Sequence, residues 1–282
     1  MQKLLGSSKD LGGFGVTRLL PHAQKRMVGP FVFLDHMGPA DFAAGEGIDV
    51  RPHPHIGLAT LTYLFDGAML HSDSLGNRLE ILPGDVNLMV AGKGIVHSER
   101  ESIETKALPH RINGLQCWLA LPEQLADIDP AFHHYKRDVL PQHNLDGVHA
   151  RLVIGEAYGM SSPIKSYSTV FFMDILASTG KKITRPNPEQ ECAAYIISGR
   201  VSIADESFGA GDCILLDGHE HVTVEQHCRI VLLGGERWQH LPHLYWNFVS
   251  FSKERIEQAK DDWREGRFPS IPGDDLERIP LP

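Results

Sequence analysis

Two tripeptides, His53-Pro54-His55 and His97-Ser98-Glu99, hold the residues of this chain best suited to chemistry. In an extended strand, side chains two apart point to the same face. Each tripeptide therefore presents two donors to one side and turns its middle residue to the other. Three neutral imidazoles and one carboxylate around a common space suit Fe(II), Mn(II), Ni(II), Co(II) or Cu(II), and these residue types do not choose among them. A closed structural zinc site more often includes cysteine. None of Cys117, Cys192, Cys213 and Cys228 lies near the pairs, which favours an open site with positions left for water, substrate or dioxygen.

The surrounding stretch predicts the strands that must carry these donors. Leu58 to Phe65 is β-branched and aromatic and ends in Asp66-Gly67, a hairpin signal. Ala68 to Ser74, Arg78 to Leu82, Val86 to Ala91 and Ile95 to Glu99 follow, separated by Leu75-Gly76-Asn77, Pro83-Gly84-Asp85 and Gly92-Lys93-Gly94. Short strands at such even intervals indicate a sandwich or small barrel. Pro52 and Pro54 cannot donate ladder hydrogen bonds, which puts the first pair at a sheet edge or barrel mouth. Gly114 to Pro122 reads as one more strand. The first fifty residues read as short strands and loops, with Asp35 and His36 either lining a pocket or capping a turn.

Beyond a polar, proline-punctuated stretch from Pro122 to Asp146, strands resume at Arg151 to Ile154 and Ser166 to Ala177, and a weak repeat becomes visible. Tyr63-Leu64-Phe65-Asp66-Gly67 returns as Tyr195-Ile196-Ile197-Ser198-Gly199, and Pro83-Gly84-Asp85-Val86 returns as Ala210-Gly211-Asp212-Cys213. At the offset of the first motif, His53 and His55 fall on Arg185 and Asn187, and at that of the second, His97 and Glu99 fall on Val224 and Gln226. The second copy is therefore expected to lack the metal ligands. His219-Glu220-His221 follows Asp217-Gly218 in a turn and has no partner pair. The division expected is 1–128 for the metal-binding domain, 129–236 for the second, and 237–282 for a helix and tail packed on the body. Ser252 to Gly266 predicts that helix, with Ile256, Ala259 and Trp263 on one face, Ser252 as N-cap and Gly266 as stop.

Composition narrows the function. The 282 residues, 42% hydrophobic, are those of an ordinary globular protein, and scattered cysteines read as thiols of a reducing cytoplasm. No apolar run is long enough to span a bilayer, and the N-terminus carries no export-signal pattern. A net charge of −9 without a Lys/Arg cluster argues against direct nucleic-acid binding.

Taken together, Pro30-Phe31-Val32-Phe33-Leu34-Asp35-His36-Met37-Gly38-Pro39, His53-Pro54-His55-Ile56-Gly57, Pro83-Gly84-Asp85-Val86 and Ala91-Gly92-Lys93-Gly94-Ile95-Val96-His97-Ser98-Glu99 resemble the pirins, bicupins of the cupin superfamily. The tail from Gly266-Arg267-Phe268-Pro269 to Ile279-Pro280-Leu281-Pro282 is also pirin-like. The resemblance implies an all-β fold of two tandem cupin barrels with a C-terminal helix and extended tail. It makes His53, His55, His97 and Glu99 the ligands, with Fe(II) the usual occupant. One departure is Ala59, where the general cupin motif has a glutamate; in pirins the carboxylate ligand corresponds to Glu99 instead. The activity implied is that of a quercetin 2,3-dioxygenase, which opens the heterocycle of a flavonol with O2 and releases CO. Glu99 would be the catalytic group that accepts the flavonol hydroxyl proton. Two alternatives fit the same residues: a metal-gated regulator that binds a transcription factor or metabolic enzyme, and an oxygenase or isomerase for another small phenolic or enol.

Overall fold

The computed structural model describes residues 1–10, 14–218 and 221–282, so His219 and Glu220 of the dismissed His-Glu-His triplet, and part of the glycine-rich turn at Gly12-Gly13, lie outside the described residues. Among the described residues strand is the main element, and the two α-helices are Ile103–Lys106 and Lys253–Arg264. None is long and apolar enough to cross a membrane. The chain gathers into two compact units. One comprises Ser8–Arg18, Phe33–Arg137 and His240–Pro282; the other comprises Met1–Ser7, Leu19–Val32 and Asp138–Gln239.

In the first of these units a four-stranded sheet runs in the order Asp49–His55, Ile95–Arg100, Met69–Asp73, Arg78–Ile81. A seven-stranded sheet runs Ala131–Tyr135, Val86–Val90, Leu58–Asp66, His110–Ala120, Phe31–Phe42, Gly15–Leu20, Ser7–Asp10. Local chemistry sets the turns between them. Gly67 has φ +84°, donates its N–H to the Asp66 carboxylate, and would put a Cβ 2.3 Å from the Arg111 carbonyl oxygen. At the next hairpin the Asp73 carboxylate accepts from the N–H groups of Leu75 (2.9 Å) and Asn77 (3.1 Å), an Asx-type closure written in the Asp-x-x-x-Asn spacing.

The N-terminal region is more regular than its punctuation suggests. Phe31–Phe42 is one strand of 12 residues, laid between His110–Ala120 and Gly15–Leu20. Gly38-Pro39, a stop signal locally, lies inside it, because neighbours on both sides hold the strand in place. Asp35 and His36 are therefore strand residues; Asp35 takes a bidentate ion pair from Arg18 at 2.9 and 2.8 Å, and His36 Nε2 lies 2.7 Å from Asn113 Oδ1. Ala131–Tyr135, within the stretch read as linker, pairs with Val86–Val90 as an edge strand.

The helix forms as its sequence dictates. Ser252 Oγ accepts the Arg255 N–H at 3.2 Å, and Ile256, Ala259 and Trp263 are its buried residues. Its end closes by a Schellman pair: Gly266, at φ +71°, donates to Trp263 O, and Arg267 donates to Asp262 O at 2.8 Å. The tail beyond runs back along the first unit. Asp274 accepts from Ser98 Oγ (2.6 Å) and from two nitrogens of Arg100 (2.9 and 2.8 Å). Ile279 N–H donates to Pro52 O at 2.9 Å, and Ile279 O accepts from the Trp263 indole at 2.9 Å.

The second unit repeats the backbone logic of the first. Gly84 N–H donates to Leu64 O at 2.9 Å, and its counterpart Gly211 donates to Ile196 O at 2.8 Å. Its main sheet path runs Gln2–Leu4, Cys213–Leu216, Glu191–Ile203, His221–Gly235, Val170–Ala177, Val148–Ala157, Gln142–Leu145. Ile183, Val222, Val224, Ile230 and Leu232 belong to its continuous apolar core.

Candidate metal centre

The two ligand-bearing tripeptides lie on adjacent antiparallel strands of the four-stranded sheet. His97 pairs directly with His53, and Ile95 with His55. Directly opposed residues share a face, so His53, His55 and His97 converge as the spacing predicts. Beyond His97 the register slips: Glu99 pairs with Val50, and the Asp49–His55 strand accommodates one extra residue, as at a β-bulge. Pro52, with no N–H to leave unpaired, lies in that stretch.

The ring centroids stand 4.4 Å (His53–His97), 5.0 Å (His53–His55) and 4.9 Å (His55–His97) apart. One nitrogen from each ring falls within 4.8 Å of the others. The His55 and His97 Nε2 atoms are 3.0 Å apart, and two nitrogens at right angles, each about 2.1 Å from one ion, would be separated by about 3.0 Å. His53 Nδ1 lies 2.8 Å from the Arg51 carbonyl oxygen. That oxygen only accepts, so the proton sits on Nδ1 and the Nε2 lone pair is left for an ion. His97 Nδ1 is buried without a hydrogen-bond partner.

Burial sets the charge states. It pushes His53 down to about 4 and holds His55 and His97 well below 6.5. All three rings are therefore neutral near pH 7, the form a metal requires. Burial acts in the opposite direction on Glu99, pushing its carboxyl up to about 7 against the pull of a hydrogen bond from Gln116. A cation among these groups would favour the carboxylate. The donor set thus fits a divalent transition ion.

Glu99 is buried beside this cluster but is not one of the three residues whose donor atoms converge. Its Oε1 accepts from Gln116 Nε2 at 2.9 Å, and Gln116 Oε1 in turn accepts from Thr62 Oγ at 2.7 Å. Aromatic neighbours flank the cluster. Trp118 meets the His55 ring edge-on at 4.9 Å and stacks on Phe33 at 3.8 Å. His71 stacks on Phe132 at 4.3 Å, and its Nε2 bonds Asp73 Oδ2 at 3.0 Å. Sequence reasoning read Gln116 and Trp118 only as parts of an apolar strand, and did not single out His71. A buried amide in an otherwise apolar run, and the His-x-Asp spacing of His71 and Asp73, were the available signals.

Comparisons with known proteins place the chain in a family. The Pirin family profile matches residues 13–119, and that of the Pirin C-terminal cupin domain matches residues 172–269. A pirin-like protein of Caulobacter vibrioides is 45% identical over 97% of this chain and 96% of its own. A Pseudomonas aeruginosa protein provisionally named quercetin 2,3-dioxygenase is 36% identical over 100% of this chain and 91% of its own. The crystal structure of quercetin 2,3-dioxygenase from Acinetobacter baumannii superposes with a TM-score of 0.92 at 36% identity, covering 100% of this chain and 94% of that one. With both cupin domains matched and kinship running the length of the sequence, the chain belongs to the pirin family.

Proposed function

We propose that this pirin is a metal-dependent dioxygenase that opens the heterocycle of flavonols such as quercetin with O2 and releases CO. The observation that carries the reading is the convergence of three buried, neutral imidazoles beside one buried carboxylate, in a chain similar over its length to a solved quercetin 2,3-dioxygenase. His53, His55, His97 and Glu99 would hold one divalent transition metal, Fe(II) being the family's usual ion. When bound, it would supply Lewis acidity toward an acidic enol oxygen and a place where substrate meets dioxygen.

The protein's own groups account for the rest. His53 is oriented by the Arg51 carbonyl, so its lone pair faces the shared space without rearrangement. Glu99, buried and two residues beyond His97 on the same strand, is the side chain assigned to accept the flavonol hydroxyl proton. The stacked Phe33–Trp118 and His71–Phe132 pairs give the surroundings of the rings an aromatic character. The burial of His53, His55, His97 and Glu99 limits water around the reacting atoms.

Protein of known metal content, loaded in turn with Fe, Mn, Ni, Co and Cu, should consume O2 and release CO from quercetin in equal amounts with at least one of them. His97→Ala should abolish both. Fully loaded protein without O2 uptake would overturn the proposal.

A further inference from the structure

The amide of Gln116 bridges the two sheets of the first unit. Gln116 lies on the His110–Ala120 strand, directly across from Thr62 on Leu58–Asp66, both in the seven-stranded sheet. Glu99 belongs to the four-stranded sheet. All three side chains are buried. The hydrogen bonds run in one direction: the Thr62 hydroxyl donates to Gln116 Oε1 at 2.7 Å, and Gln116 Nε2 donates to Glu99 Oε1 at 2.9 Å. A hydroxyl can donate or accept, so it is the Glu99 carboxylate that fixes the orientation of the amide, while Thr62 anchors its far end. Were the amide turned over, its carbonyl would face the carboxylate and repel it. With Oε1 occupied, Glu99 has Oε2 left for another partner.

We propose that Gln116, anchored by Thr62, is a positioning residue that occupies one oxygen of Glu99 and presents Oε2 as the single carboxylate ligand to the metal. This rests on the metal reading above and adds the manner in which the carboxylate engages. Fixing one oxygen opposes two-oxygen chelation and so keeps a coordination position open for substrate. Outer partners of this kind commonly change metal affinity by roughly 10–100-fold.

The test uses Co(II), whose visible absorption reports coordination number and ligand arrangement, on the full chain and four variants. Wild type should take up about one Co(II) per chain. Gln116→Leu, of similar volume, should still bind Co(II) through the three histidines, with an altered visible spectrum and roughly 10–100-fold faster release to a chelator. Thr62→Val, which removes only the hydroxyl donor, should shift the spectrum in the same direction. Thr62→Ser, which keeps the donor, should restore the wild-type spectrum. Glu99→Ala should make further change at Gln116 silent. A change confined to packing would alter thermal stability and leave the Co(II) bands in place. If Gln116→Leu and Thr62→Val both show wild-type bands and release rates, the positioning role is overturned while the metal reading stands. If wild type takes up no Co(II), both fall.

Discussion

The two units share their turns and differ in their interiors. Gly84 and Gly211 make equivalent hydrogen bonds, to Leu64 O and Ile196 O. Yet where the first unit gathers His53, His55 and His97, the second packs Ile183, Val222 and Val224 into an aliphatic core. A constant offset places Arg185 and Asn187 opposite the first histidine pair, but the strand Lys182–Thr184 ends before either. Arg185 instead donates to the backbone carbonyls of Leu216 (3.0 Å), Gly218 (2.9 Å) and Gln190. It serves as a clamp where the strand Glu191–Ile203 begins and the strand Cys213–Leu216 ends. The difference teaches what the polar interior costs: buried imidazoles and a buried carboxylate lose hydration that aliphatic side chains never had. The first unit carries that cost at its histidine cluster.

Grafting polarity into the second unit gives the largest expected effect on this comparison. Val222→His would overfill a packed core and bury an unpartnered ring, destabilising the protein by about 2–5 kcal/mol in denaturant titrations. It should add no metal to the chain. Equal stability, or a second bound ion, would show that the second interior is as adaptable as the first.

Acid–base behaviour sharpens the contrast further, because the signs oppose within the first unit. Glu99 has its carboxyl raised from 4.5 to about 7. Its contribution to the stability of the metal-free protein is fully present below pH 4.5 and is lost as pH rises through 7. His53 is lowered from 6.5 to about 4, so its contribution is present above pH 6.5 and is lost as pH falls through 4. Metal loading at about pH 6 should therefore release about one proton, from Glu99, and almost none at about pH 8.5. Proton release that does not fall with pH would remove Glu99 from the ligand set. An indicator dye in weak buffer is sufficient to follow it.

The smallest effect concerns the cap of the C-terminal helix. Ser252→Ala should cost about 1 kcal/mol, read from thermal unfolding, and leave metal content unchanged. Loss of metal would reveal that the helix end supports the site more directly than its hydrogen bonds indicate.

How much of this was legible in the sequence depends on the range of the interaction. The histidine pairs, the Asp66-Gly67 hairpin and the Ser252 cap are local, and spacing or turn chemistry displays them. The strand Phe31–Phe42 and the edge strand Ala131–Tyr135 owe their form to neighbours distant in the chain, so their local signals mislead. Thr62, Gln116 and Glu99 meet because of register: 54 residues separate the first two and 17 the second pair. Nothing in the local pattern of His110–Ala120 announces that its one buried amide faces a carboxylate.

Time enters through the tail. Ser98 and Arg100 alternate with His97 and Glu99 on one strand, and Asp274, which grips them, follows 176 and 174 residues later. At roughly 5–20 residues per second, synthesis would leave that strand without its outer partner for about 9–35 s. During that interval the histidine pairs already exist, but the side chains that brace one of them from behind do not. A nascent chain that meets its ion early would therefore meet it on a looser strand than the finished protein offers.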